Sequence, residues 1–225
     1  TEFGYDWNGS GVKTVPDKIG TLDSTVLQGA WIVRDILAGM GYVDVFTQYQ
    51  MLDVNKEGGT YATSGLTSSI ADSGAVGYYP HRSFYYLTTF RNVLGNYTFD
   101  KVLRGNAGDS VFVYKFKGID NDSVAYVMWC PTSEDHRINN MSVKTGLPST
   151  SVTLVQFADS SMWGKDSSMT STSDSLVQFQ ISEVPKFLLA TDGVNGGELV
   201  SGDTPVITGP TAAAGSDQII RLPTN

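Results

Sequence analysis

The chain has 225 residues, 40% of them hydrophobic, 17% charged, with one cysteine and a formal net charge of −8. That is enough apolar material for one large domain or two small ones. The acidic balance, without basic clusters, gives no electrostatic footprint for nucleic acid or anionic lipid. One cysteine excludes an intrachain disulfide, and no apolar stretch reaches the roughly 18 residues of a membrane span.

In chain order, Asp23 or Ser24 can cap a helix that runs to about Met40. Val26, Leu27, Ala30, Trp31, Ile36 and Leu37 recur near helical spacing, and Gly41 is placed to end it. Tyr42 to Gln50 is rich in β-branched and aromatic residues and predicts a strand. A polar, glycine-punctuated loop over about 54–79 follows. Pro80 suits the first turn of a second helix, with Phe84, Leu87, Phe90, Arg91 and Leu94 on one face and Gly95 at its end.

From residue 96 the pattern changes. Strands are predicted at 111–116, 124–129, 152–157 and 176–181, separated by Gly, Asn, Asp and Ser clusters, which points to an antiparallel β-sandwich. The Ser/Thr-rich stretch 158–175 reads as a long hairpin or surface loop. Residues 191–225 are rich in Gly, Thr, Pro and Ala and read as a linker or extended tail, with a possible short strand at Ile219-Ile220.

The chemistry-bearing segment is Thr1-Glu2-Phe3-Gly4-Tyr5-Asp6-Trp7-Asn8. A carboxylate, an aromatic and a glycine before a polar turn suit the end of a barrel strand, where such barrels keep their active sites. Tyr5, Trp7 and Tyr49 are candidate sugar platforms, each with core packing as its alternative. Gln50 and Asp53 can hydrogen-bond hydroxyls, and Asp53 can equally cap the following loop. His81 reads as structural, and Cys130 as a buried small hydrophobe. Two distant histidines offer no metal-ligand spacing. No phosphate-binding glycine loop or nucleophile elbow is present, so neither metal nor cofactor is expected.

These segments resemble, in order, the second half of a known family. Thr1-Glu2-Phe3-Gly4-Tyr5-Asp6 is similar to the strand-seven segment of retaining glycoside hydrolases of the (β/α)8 clan A. Gln28-Gly29-Ala30-Trp31-Ile32-Val33-Arg34 resembles the helix after that strand, and Tyr49-Gln50-Met51-Leu52-Asp53-Val54-Asn55 the end of strand eight. Pro80-His81-Arg82-Ser83-Phe84 resembles the final helix. Val127-Met128-Trp129-Cys130-Pro131-Thr132 and Ser182-Glu183-Val184-Pro185 resemble strands of the appended sandwich.

The resemblance implies α/β followed by all-β: the last two βα units of a TIM-type barrel over 1–95, a β-sandwich over 96–190 and the tail 191–225. It implies the C-terminal portion of a retaining O-glycoside hydrolase acting on a poly- or oligosaccharide outside the cell or at its surface. Glu2 matches the nucleophile. The acid/base carboxylate and the remaining barrel strands are expected outside this chain, so the chain alone is not expected to hydrolyse glycosides. The alternative is a non-catalytic module for carbohydrate binding or cell-surface assembly.

Overall fold

A computed structural model of the chain describes residues 2–9, 14–57, 59–69, 78–144, 151–173 and 176–190. The expectations for residues 191–225, including Ile219-Ile220, lie outside the described residues.

The first helix forms as its sequence predicts. α1 spans Ser24–Gly39, and the Asp23 carboxylate caps it by accepting hydrogen bonds from the Thr25 and Val26 amides. Gly41, at φ +85°, takes the left-handed turn just beyond its C-terminus. A two-residue hairpin, β2 (Lys18–Ile19) with β3 (Leu22–Asp23), leads into it. β1 (Glu2–Phe3) precedes that hairpin and pairs in parallel with β4 (Thr47–Gln48). α1 therefore lies on a β–α–β crossover.

Two expectations are corrected here. The strand predicted over Tyr42–Gln50 is ordered as β-structure only at Thr47–Gln48, because the ladder reaches no further than β1. Tyr42 and Val45, which lie outside that ladder, are exposed. Pro80 lies outside the second helix: α2 spans Arg82–Leu94 with His81 at the N-cap. Its buried residues are Ser83, Tyr86, Thr89, Phe90 and Leu94, so the packed stripe includes Tyr86 and leaves Arg91 exposed.

The remaining strands are β5 (Tyr97–Arg104), β6 (Phe112–Gly118), β7 (Val124–Trp129), β8 (Arg137–Lys144), β9 (Ser151–Gln156), β10 (Lys165–Thr170), β11 (Leu176–Ser182) and β12 (Lys186–Ala190). Six make an antiparallel sheet in the order β10-β9-β12-β7-β6-β5, and β8 pairs with β11 across from it. The stretch 158–175 contains the second arm of a β9–β10 hairpin.

At β7 the large sheet is buried on both faces. Val124, Tyr126 and Met128 of β7 meet Met141, Val143, Val177 and Ile181 of the β8–β11 pair. Ala125, Val127 and Trp129 point the other way, into a second cluster with Ile32, Val33 and Leu37 of α1 and Phe90 of α2. This two-sided burial explains why Val-Ala-Tyr-Val-Met-Trp is a continuous apolar run with every residue buried. At about 1.5–3 kcal/mol for each large side chain taken from water, the helices and the sandwich stabilise one another across this sheet.

Candidate functional site

The site is built where β1 and β4 end. The Tyr49 amide donates to the Phe3 carbonyl at 2.7 Å, which extends the parallel pairing by one residue. Gly4 follows, and a β-carbon there would stand 2.0 Å from the Tyr49 carbonyl oxygen, so only glycine permits this approach. The Tyr49–Gln50 peptide bond is cis.

A cleft of about 420 Å³ opens beside these strand ends, lined by Glu2, Tyr5, Asp35, Tyr49 and Tyr61 with the Phe3-Gly4 segment as its floor. Strand alternation separates their roles. Phe3 and Tyr5 pack toward the helix-side core, whereas Glu2, between solvent and cleft, is exposed. The Tyr5 ring meets Trp31 edge to face at 5.3 Å, and its hydroxyl donates to the Asp35 carboxylate at 2.5 Å. Burial, and then the negative Asp35 oxygen, hold the Tyr5 phenol far above its ordinary range, so it stays protonated and a donor.

Of the six residues singled out from the sequence, Glu2, Tyr5 and Tyr49 line the cleft. The structure gives the other three different partners. Gln50 donates its amide to the Tyr61 carbonyl at 3.1 Å. Trp7 donates through Nε1 to Asp53 at 3.0 Å and lies 5.6 Å from the His81 ring. Asp53 is only 5% exposed. Besides Trp7, it accepts from the Gly65 amide at 2.8 Å and stands 2.8 Å from His81 Nε2. Asp53 thus ties the loop after β4 to the start of α2, and His81 serves the same structural junction.

Other residues that shape the site lie in the segments that resemble the family, although the sequence gives them no separate role. Asp6 is fully buried and accepts from the Tyr61 and Thr63 amides at 2.8 and 3.0 Å. Gln28, buried in α1, donates to the carbonyls of Tyr5, Thr63 and Gly65 at 2.9, 3.3 and 3.3 Å. Arg34, further along α1, donates to the carbonyls of Pro131 and Thr132 at 3.1 and 2.9 Å. Among the described residues, no three His, Cys, Asp or Glu side chains are grouped to hold a metal ion, and no helix is long and apolar enough to cross a membrane.

No protein-family model and no curated protein matches the sequence. By structure, the chain is similar to a glycoside hydrolase family 30 endoxylanase from Clostridium papyrosolvens, with 12% identity and a TM-score of 0.51. The match covers 85% of this chain and 41% of that one. A family 30 subfamily 8 xylanase from Clostridium acetobutylicum aligns with 13% identity and a TM-score of 0.49, over 85% and 42%. The chain thus spans about two fifths of the length of these enzymes. The likeness is one of fold: an antiparallel β-sandwich with a preceding α/β segment, as in part of a clan A glycoside hydrolase.

Proposed function

We propose that the chain is the C-terminal portion of a retaining O-glycoside hydrolase acting on a poly- or oligosaccharide. Residues 1–95 are then the last two βα units of its barrel and 96–190 its sandwich. The observation that carries this reading is the position of Glu2. Its exposed carboxylate stands one residue before the C-terminal end of β1, which pairs in parallel with β4, in a cleft flanked by Tyr49 and Tyr61. The order β1–α1–β4–α2 supports two successive βα units.

In this mechanism the Glu2 carboxylate attacks the anomeric carbon as the glycosidic bond breaks. An acid on a strand outside this chain, about 5–5.5 Å away, protonates the departing oxygen. The same group then takes a proton from water, which attacks the glycosyl ester and frees Glu2. Asp35 does not serve as that acid, since its carboxylate accepts the hydrogen bond of the Tyr5 hydroxyl, which keeps its proton.

The structural neighbours make xylan the first substrate to test. The experiment is to treat the intact gene product with a fluorinated xylobioside carrying a dinitrophenyl leaving group, then map the adduct by peptide mass spectrometry. The adduct is expected on Glu2 and absent from Glu2→Gln. Full activity in Glu2→Gln, or labelling of a different carboxylate, would overturn the assignment.

A further inference from the structure

Tyr61 carries a feature that its surroundings do not require. Its φ is +61°, a left-handed conformation that side chains with a β-carbon rarely adopt. Two residues earlier, where the same loop also needs a positive φ, the chain has Gly59 at +125°. A glycine at 61 would relieve the backbone in the same way, so what holds a tyrosine there must be its ring.

The loop is clamped to keep that conformation. The fully buried Asp6 carboxylate accepts from the Tyr61 amide at 2.8 Å and the Thr63 amide at 3.0 Å. The Tyr61 carbonyl accepts from Gln50 Nε2 at 3.1 Å and Ser64 Oγ at 3.2 Å. Ala62 and Thr63 turn inward and are buried, which turns the Tyr61 ring outward into the cleft. There it meets Tyr49 edge to face, with centroids 5.5 Å apart and planes at 76°. The pair is not core packing: Tyr61 remains 42% exposed and Tyr49 39%. The two rings form an open corner in the cleft that holds Glu2.

We propose that Tyr61 is a sugar-binding residue, held by Asp6 and Gln50 so that its ring and that of Tyr49 form a two-walled corner for one pyranose unit. The inference rests on the glycosidase reading of the cleft and deepens it. The chemistry follows from the rings. The C–H-bearing face of a pyranose carries slight positive charge and lies flat on the negative face of an aromatic ring. A second ring near 76° to the first then meets the edge of the same sugar. Such a corner favours a flat, equatorially substituted sugar chain over a peptide or an anion.

The test uses the intact protein with Glu2→Gln as background, so that xylohexaose binds without turnover and its Kd is read by calorimetry. Tyr61→Gly is expected to weaken binding at least tenfold while leaving Tm unchanged or higher, because glycine suits the positive φ. Tyr61→Phe, which keeps the ring, is expected to bind within about twofold of Tyr61. Unchanged Kd in Tyr61→Gly, whether or not Tm falls, would overturn the role of the ring. If the fluorinated xylobioside labels Glu2 in the parent protein, which keeps that carboxylate, that failure belongs to Tyr61 alone. Absence of both labelling and xylohexaose binding in the unmutated protein would overturn the cleft reading together with this one.

Discussion

Replacing Asp53 by asparagine separates two roles that its sequence position leaves equal. The substitution keeps shape and removes charge. In the structure Asp53 Oδ1 accepts from the Gly65 amide, and Oδ2 accepts from Trp7 Nε1 and faces His81 Nε2. Asparagine has one acceptor oxygen and one NH2. If the oxygen takes the Trp7 side, the NH2 opposes the Gly65 amide. If it takes the Gly65 side, the NH2 opposes Trp7, and only His81 can adapt by accepting. Each arrangement leaves at least one buried donor unpaired at about 1–3 kcal/mol, and the surviving bonds lose their charge assistance.

The expected loss is therefore about 2–4 kcal/mol, read as a shift in the urea midpoint of the protein with unchanged slope. Sugar affinity should change little, because Asp53 does not line the cleft. A variant within about 0.5 kcal/mol of the parent but with a tenfold weaker Kd for xylohexaose would refute this reasoning and restore Asp53 as a sugar contact.

Two further outcomes follow from the helices. Partial burial pushes the Asp23 carboxyl up, but hydrogen bonds from Arg82, Thr25 and the Val26 amide outweigh it and bring it to about 2 from 3.8. Its folded value is depressed, so its contribution is complete above 3.8 and is lost as pH falls toward 2. Thermal unfolding of Asp23→Asn, which can still cap α1, should therefore show a shallower pH dependence than the parent in that window, and parallel curves would refute it. At the α1–α2 contact, a β-carbon on Gly29 would lie 2.7 Å from the Tyr86 ring. Gly29→Ala should lose about 1–3 kcal/mol in denaturant unfolding by overpacking, although alanine is the better helix former by up to about 1 kcal/mol.

What the sequence shows and hides follows from how each element is buried. α1 is legible because its cap and apolar spacing are local. β7 is legible because a strand buried on both faces must be apolar throughout. β8 and β10 escape notice because water meets much of their surface: Met169 is the one apolar residue of β10, and Asn139 and Asn140 interrupt β8. β5 holds Asp100, Lys101 and Arg104, with two irregularities in its register that break the alternation. At the site, Glu2, Tyr5 and Tyr49 are visible because they flank strand ends. Asp35 enters the cleft through helix packing, and Tyr61 through a positive φ held by Asp6. Neither leaves a periodic trace.

The sandwich contributes to the site through α1, although it supplies none of the cleft's lining. Glu183, 1% exposed, accepts from the Thr132 hydroxyl and from the Glu134 and His136 amides at 2.6, 2.6 and 3.1 Å. Burial raises its pKa, but these hydrogen bonds prevail and keep it ionised below the usual carboxylate range. The loop it organises offers the Pro131 and Thr132 carbonyls to Arg34. Six residues earlier on the same helix, Gln28 holds the Tyr5 carbonyl at 2.9 Å. A rigid helix pinned at both points fixes the distance between the sandwich and the β1 strand end. Loosening the sandwich end should therefore be felt at Glu2. Arg34→Met, which keeps the apolar stem and removes both donors, is expected to slow labelling of Glu2 by the fluorinated xylobioside even in molecules that remain folded. Labelling at the parent rate would show that β1 holds its place without the sandwich.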